Sequence, residues 1–342
     1  MIILYILIAI LVFGFLILIH ELGHFLFAKK FGVSIYEFSI GMGPKIISKT
    51  GKDGVEYSLR AFPIGGFVSM VGEDEESDDP NSFTKKPAWQ RFIIVSAGAI
   101  MNLLIGIIIM VILTLSTPRF GGTVVAEFLP NSKSDKCGIQ IYDEITEING
   151  ANVHTANDLS YEIMRSGYKP VDVTLIRDGK EITIENVSFP QFASQGVAFG
   201  YMDFKIFEEK KTVGVICKNA FFSCTSTIKM IWDSLYDLVS GRYGIEAVSG
   251  PVGVTGAITD AAKTGVYSLF YMVVVISMNL GIFNLLPIPA LDGGSLLFLL
   301  IEMITKKKIP QKVEYTIKLI GLSLLMLLIV IVTFKDIIGL FG

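Results

Sequence analysis

The sequence is poor in cysteine and has no excess of basic charge. Only three cysteines occur among its 342 residues. Cys137, Cys217 and Cys224 form no Cys-x-x-Cys pair, which argues against a zinc knuckle or a disulfide framework. The formal net charge is −3, so no basic face indicates a nucleic-acid partner. We expect simple buried thiols and no nucleic acid.

Charged residues are also scarce, at 18% of the chain, while 51% of residues are apolar and the mean hydropathy is +0.59. An average soluble domain has about 25% charged residues. Most of this shortage of charge comes from four long apolar runs. A membrane-spanning helix needs about 20 apolar residues. The first run lacks the basic start and the cleavage site of a signal peptide, so we expect it to stay as a span. The predicted spans begin with residues 1–19 and continue with 92–116, 266–288 and 316–334.

The first span ends in the motif Ile19-His20-Glu21-Leu22-Gly23-His24. On a helix, His20 and His24 are four residues apart, so both rings project from one face and can share a metal ion. Glu21 stands beside them, where it can act as a general base on a metal-bound water. Histidine and glutamate are costly in a lipid-facing helix. The motif therefore predicts a metal site within the membrane, against the alternative of a helix end with a few polar residues.

Positive charges predict which side of the membrane each loop faces. Lys29 and Lys30 follow the first span, Lys85 precedes the second, and residues 306–308 are three lysines before the last. The positive-inside rule places all of them in the cytoplasm and residues 118–265 outside. At 1.5 Å per residue, His20 is about 30 Å from the start of the helix. The metal site is therefore expected toward the cytoplasmic side.

Between the first two spans, residues 45–49 and 55–62 predict two short strands joined by the turn 50–54. Two glycine-rich pieces flank them, residues 41–44 and 63–67. A free hairpin edge beside a membrane site could receive an extended substrate as an added strand. An ordinary hairpin without a substrate role is the alternative. The acidic run 73–79 is typical of a solvated loop.

Residues 118–205 have the composition of a soluble domain. They predict strands at 123–128, 144–148, 171–177 and 181–187, with a helix at 157–165. The phrases Asp143-Glu144-Ile145 and Arg177-Asp178-Gly179-Lys180 resemble those of PDZ domains, which bind peptides as an added strand. His154 falls here and is predicted to be a surface histidine. In the linker that follows, residues 213–239 predict a helix lying on the outer membrane surface.

A catalytic zinc keeps three protein ligands and one open position. No third histidine lies on the correct side of the membrane, so a carboxylate is needed. Asp292 fits, because it follows the third span among helix-breaking residues, Pro287, Pro289, Gly293 and Gly294. Glu302 is the competitor, although its place near the lysines is typical of a helix-end charge. A plain helix cap is the remaining interpretation of Asp292.

The two motifs, His20-Glu21-Leu22-Gly23-His24 and Asn284-x-x-Pro287-x-Pro289-x-Leu291-Asp292-Gly293, together with the PDZ-like segment, resemble the site-2 protease family and its bacterial RseP-type zinc metalloproteases. The resemblance covers essentially the whole chain. It implies Zn²⁺ held by His20, His24 and Asp292, with Glu21 as base. It also implies substrate-backbone contacts by Asn284 and by the hairpin, including Gly65, Gly66, Phe67 and Val68. Only one PDZ-like domain can be placed, where enterobacterial members carry two.

The predicted fold is a polytopic α-helical membrane protein with four transmembrane helices, a membrane-associated β-hairpin and an inserted extracytoplasmic PDZ-like α/β domain. Its predicted parts are residues 1–117, 118–205, 206–265 and 266–342, which are the first membrane half, the PDZ-like domain, an extracytoplasmic linker and the second membrane half. We expect an intramembrane zinc metalloprotease of the bacterial inner membrane. Its expected substrates are single-span membrane proteins trimmed beforehand by another protease, such as anti-sigma factors or signal-peptide remnants. A metal transporter or sensor and a non-catalytic PDZ scaffold are the alternatives.

Overall fold

The computed structural model describes residues 2–73, 77–194, 197–242, 244 and 248–339. The chain divides into two compact units, one formed by residues 1–109 with 248–342 and the other by residues 110–247. Residues 74–76 of the predicted acidic loop lie outside the described part.

Within these described residues, four helices are long and apolar enough to cross a membrane, as predicted. They are α1 (Ile2–Lys30), α2 (Ala88–Ser116), α6 (Val266–Leu285) and α8 (Gln311–Gly339). The helix α1 runs on well past the predicted run, so the His-Glu-x-x-His motif lies inside a continuous helix. Large apolar side chains such as Leu324 and Met326 of α8 are exposed, which fits a helix facing lipid because lipid tails are as apolar as leucine.

Two shorter helices belong to the same unit as the first span. The helix α5 (Pro251–Thr264) falls in the predicted linker, and its Ile258 is fully buried against Ala9 and Leu16 of α1. The helix α7 (Asp292–Thr305) begins three residues earlier than predicted. A carboxylate in the first turn of a helix is favoured by the partial positive charge there, so Asp292 can start α7.

The hairpin is larger than predicted. Its strands are β1 (Ile35–Thr50) and β2 (Glu56–Met70), and they include the glycine-rich pieces that we expected to flank them. Residues 37–40 pair with 56–59 on one side and with 66–69 on the other. The two strands thus fold back on themselves into four paired segments. They bend at Gly41, Gly43 and Gly65, which have positive φ, a conformation that strains residues with a side chain. Residues 66–70, here called the edge segment, form the outer row beside α1.

A buried carboxylate holds the hairpin together. Glu37 accepts hydrogen bonds from Ser58 and from both Arg60 Nε and Nη2, and it lies 3.1 Å from Lys45 Nζ. Burial acts to raise the pKa of Glu37, but these donors outweigh it and hold the pKa below its ordinary value. The Arg60 guanidinium also lies 4.8 Å from the ring centre of Phe67 in the edge segment. The network therefore fixes the position of that segment.

The second unit contains a β domain and a long helix. The elements of the β domain are β3 (Phe120–Phe128), β4 (Glu144–Ile148), β5 (Ala151–Asn152), α3 (Ala156–Ser166), β6 (Val171–Arg177), β7 (Lys180–Val187), β8 (Gln191–Ser194), β9 (Val197–Gly200) and β10 (Phe204–Glu209). All predicted strands and the predicted helix are present. The sheet has the order β10-β3-β4-β6-β7 with β5 paired to β4, and β8 and β9 form a separate hairpin.

The helix α4 (Val213–Val239) has the predicted bounds, and charged side chains join it to α3. Arg165 of α3 lies 3.0 Å from carboxylate oxygens of both Asp233 and Asp237, and Lys229 pairs with Glu162. Through these ion pairs α4 belongs to the same unit as the β domain. Its position on a membrane surface stays a prediction.

Candidate metal centre

Two histidines and one aspartate converge in the first unit. His20 and His24 lie on one face of α1, and their Nε2 atoms are 3.2 Å apart. Asp292 Oδ2 lies 3.0 Å from His20 Nε2 and 3.3 Å from His24 Nε2. The two histidines are buried, and the Asp292 side chain is 24% exposed. Within the described ranges, no other group of three metal-binding side chains comes together.

The spacing of these three atoms fits a metal ion better than it fits hydrogen bonds. Ligand atoms about 2.1 Å from a tetrahedral zinc are about 3.4 Å apart, and the three separations here are 3.0–3.3 Å. Asp292 Oδ2 is buried and, despite these short distances, has no hydrogen-bond partner among the described residues. This oxygen is close to two imidazole nitrogens without being aligned as their acceptor, which points to a shared centre. The residues present therefore fit zinc.

The helix α2 supplies no ligand but shapes the site. The carbonyl oxygen of Ile94 is 2.9 Å from His24 Nδ1, an outer contact that leaves Nε2 for the metal. One turn later, a Cβ on Gly98 would lie 2.5 Å from His24 Nε2 and 2.8 Å from His20 Cε1. Only glycine leaves room for both rings there. Gly98 is a small residue within the predicted span 92–116, but no residue type signals the Ile94 carbonyl.

The turn between α6 and α7 brings Asp292 to the histidines. Ala290 has φ +81°, an unusual value for a residue with a side chain. A Cβ on Gly293 would lie 1.7 Å from the carbonyl oxygen of Leu286, so the turn closes only with glycine at this position. Gly321 of α8 in turn packs against Pro289, where a Cβ would lie 2.4 Å from the proline Cβ. The turn is therefore packed tightly on two sides.

Glu21 lies next to the edge segment of the hairpin. Its Oε2 accepts a hydrogen bond of 3.3 Å from the Val68 backbone N–H. The segment follows α1 closely, since a Cβ on Gly65 would lie 3.3 Å from Ile17 and one on Gly66 would lie 3.8 Å from Leu18. The predicted base and the predicted substrate-binding hairpin are thus in direct contact.

The other predicted residues lie elsewhere. Asn284 is half-buried near the end of α6. Glu302, the competitor for the third ligand, pairs with Arg91 and lies ten residues beyond Asp292, about 15 Å along α7. His154 is half-buried rather than exposed, with its ring centre 3.8 Å from that of Phe222. Neither Glu302 nor His154 belongs to the cluster.

The chain is similar to known proteins over almost its whole length. A model of peptidase family M50 matches residues 8–328. A protein of Clostridium acetobutylicum named as a zinc metalloprotease is 39% identical over 334 residues, which cover 97% of each chain. A similarly named protein of Clostridium perfringens is 38% identical over 98% of each chain. The regulator of sigma-W protease RasP of Bacillus subtilis is 31% identical over 97% of this chain and 98% of the relative.

Proposed function

The chain belongs to peptidase family M50 and is a membrane zinc metalloendopeptidase of the site-2 type, and we propose that Glu21 is the general base that lets it cut peptide bonds within transmembrane segments. The observation that carries this proposal is the convergence of three ligand atoms, two from α1 and one from α7, within 3.3 Å of one another beside the helical turn that contains Glu21.

In this mechanism His20, His24 and Asp292 would hold zinc. When bound, zinc would supply a Lewis acid that polarises the scissile carbonyl and lowers the pKa of a water toward neutrality. Glu21 takes the proton of the attacking water and delivers it to the leaving amine nitrogen. The same carboxylate acts in both transfers, so an amide at this position is expected to stop hydrolysis while keeping the ligands in place.

Substrate binding is proposed to occur at the edge segment. A peptide bond in a helix is already hydrogen-bonded, so the substrate must unwind, and an added strand replaces the lost bonds. Because Val68 N–H faces Glu21 and successive residues of a strand point their backbone groups to opposite sides, Gly66 and Val68 present their backbone groups to the outer edge, away from β1. Gly65 precedes the edge segment and Phe67 lies within it. A substrate strand at this edge would pass directly beside the base.

Asn284 is proposed to help to hold the substrate backbone. It lies eight residues before Asp292, near the end of α6, where the tight turn to α7 begins. An amide can both donate to a backbone carbonyl and accept from a backbone N–H, which suits an unwound peptide of any sequence.

We propose that the β domain is an extracytoplasmic PDZ-like module and that the metal site opens toward the cytoplasm. The lysines near residues 29, 85 and 306 support this orientation through the positive-inside rule. From across the membrane the domain could select substrates but contribute no group to catalysis. Single-span proteins already trimmed by another protease are the proposed substrates. The Bacillus subtilis relative is named for sigma-W regulation, so membrane-bound anti-sigma factors are the first class to test, before signal-peptide remnants.

The decisive experiment compares three variants in detergent-purified protein, with zinc measured by elemental analysis and activity on a model transmembrane substrate. Glu21→Gln should keep about one zinc per chain but lose activity by about 10²–10⁴-fold. Asp292→Ala should lose both, because two imidazoles hold the metal less tightly than three ligands. His154→Ala should change neither. If Glu21→Gln cleaves normally, the protease mechanism is wrong and reversible metal binding replaces it. Full zinc in Asp292→Ala with loss in Glu302→Ala would show that the wrong ligand is named.

A further inference from the structure

A buried asparagine on α2 contacts the first histidine from the side away from the metal. Asn102 is 1% exposed, and its Nδ2 atom lies 3.3 Å from His20 Nδ1. Its other amide atom, Oδ1, is buried and has no hydrogen-bond partner in the described part of the chain. An unpaired oxygen of this kind is costly, so the pairing of this amide calls for an explanation.

The proton on His20 supplies that explanation. A neutral imidazole carries one N–H, and a ring that gives Nε2 to a metal must carry its proton on Nδ1. With Nδ2 facing the ring, two N–H donors would oppose each other. A rotation of about 180° exchanges the two amide atoms. Oδ1 then accepts from His20 Nδ1–H, and the buried oxygen has a partner.

The arrangement repeats the one found at the second histidine. His24 Nδ1 faces the carbonyl oxygen of Ile94 at 2.9 Å, which can only accept. Ile94, Gly98 and Asn102 are spaced four residues apart, so they lie along one face of α2. That face offers an acceptor to His24, clearance for both rings and a contact to His20, in that order.

Asn102 is itself held firmly. Its backbone carbonyl accepts a hydrogen bond of 2.7 Å from Ser277 Oγ of α6, and Ser277 is fully buried. A residue fixed between two helices can orient a ring with little loss of side-chain freedom. The residue therefore has the rigidity that a positioning role requires.

We propose, on the basis of the proposed zinc site, that Asn102 is a positioning residue whose Oδ1 accepts a hydrogen bond from His20 Nδ1–H. This bond keeps His20 in the tautomer that presents Nε2 to zinc. A hydrogen bond that merely joins two helices would not depend on which amide atom faces the ring. The acceptor role does, and this difference makes the proposal testable.

The test compares Asn102→Asp with Asn102→Leu in the full-length purified protein. Both replacements are close to asparagine in size, but aspartate keeps an acceptor and leucine does not. The measurements are zinc affinity by competition with a chelator and the visible spectrum of the Co²⁺-substituted protein. Loss of such an outer contact costs about 10–100-fold in metal affinity. Asn102→Leu should lower the zinc affinity by that factor and alter the Co²⁺ spectrum. The zinc affinity of Asn102→Asp should stay within a few-fold of that of the wild type.

Asn279→Leu is the matched control, since Asn279 of α6 also has a buried Oδ1 with no partner among the described residues but no hydrogen bond to either histidine there. It should leave zinc affinity unchanged. Equal losses in Asn102→Asp and Asn102→Leu would overturn the acceptor role, as would unchanged affinity in Asn102→Leu. Wild-type protein that binds no zinc would instead count against the proposed function.

Discussion

Replacement of Gly98 by alanine tests whether clearance on α2 allows the two imidazoles to converge. The new Cβ would lie 2.5 Å from His24 Nε2 and 2.8 Å from His20 Cε1, whereas unstrained contacts between such atoms begin at about 3.5 Å. The rings or the helices must therefore move by roughly 1 Å. Metal–ligand distances tolerate only about ±0.2 Å, so this movement is several times larger than the site can absorb.

The structure leaves few ways to relieve the clash. His24 is tied to the Ile94 carbonyl at 2.9 Å. The helices α1 and α2 already touch at Gly23, where a Cβ would lie 2.4 Å from the Ala97 carbonyl oxygen. Overpacking costs about 1–3 kcal/mol. If moving the rings relieves it, the same free energy weakens zinc binding by about 5- to 150-fold.

The assay is zinc affinity by chelator competition, with thermal unfolding measured beside it. Gly106→Ala is the control, because its Cβ would meet the flexible Met278 side chain at 2.9 Å, two turns from the histidine rings. Gly106→Ala should lower stability slightly and keep zinc affinity. If Gly98→Ala binds zinc as tightly as the wild type at unchanged stability, the clearance argument fails.

Three further predictions concern topology, the β domain and the hairpin. In a chain without its own three cysteines, an impermeant reagent on intact cells should label a cysteine at Asn131 and miss one at Asp78. The reverse pattern would contradict the proposed topology. Deletion of residues 120–209 should allow cleavage of untrimmed substrate, if the β domain excludes such substrates. The end residues of this segment are cross-strand partners and can be joined by a short linker. A deletion variant that binds zinc and cuts no substrate would refute this role of the β domain. Because the pKa of Glu37 is lowered in the fold, its stabilising contribution is complete above the ordinary carboxyl pKa of about 4.3 and is lost as the pH falls through the lower folded value. The protection of the hairpin amides against hydrogen exchange, corrected for the intrinsic rate at each pH, should therefore fall in acid in the wild type, and an identical pH profile in Glu37→Gln would contradict this.

The sequence was sufficient to predict most elements, because their signals are local. Four apolar runs of membrane length became four long helices, and turn residues with alternating apolar positions located the strands of the β domain. The convergence of His20, His24 and Asp292 was also predictable. The spacing of His20 and His24 is a property of any helix, and few carboxylates could reach them.

Other features depend on contacts between distant segments and leave no local signal. The doubling of the hairpin into four rows needs three bends at glycines whose spacing does not indicate the pairing. The helix α5 lies within residues 206–265, which the sequence assigns to a linker, yet its Ile258 is buried against α1. The role of the Ile94 carbonyl cannot be read from the sequence, since every residue has a backbone carbonyl.

The histidine motif and α2 together explain why a metal site can be stable in an apolar helix. Two imidazoles side by side on α1 would be costly if their second nitrogens lacked partners. In α2, residues four apart provide the Ile94 carbonyl and the amide of Asn102, with Gly98 between them. The partners for both Nδ1 atoms thus come from one rigid element, while both Nε2 atoms are left facing Asp292. On this reasoning, zinc affinity depends on this face of α2 as well as on the three ligands. Substitutions along that face should therefore weaken zinc binding although none of its residues is a ligand.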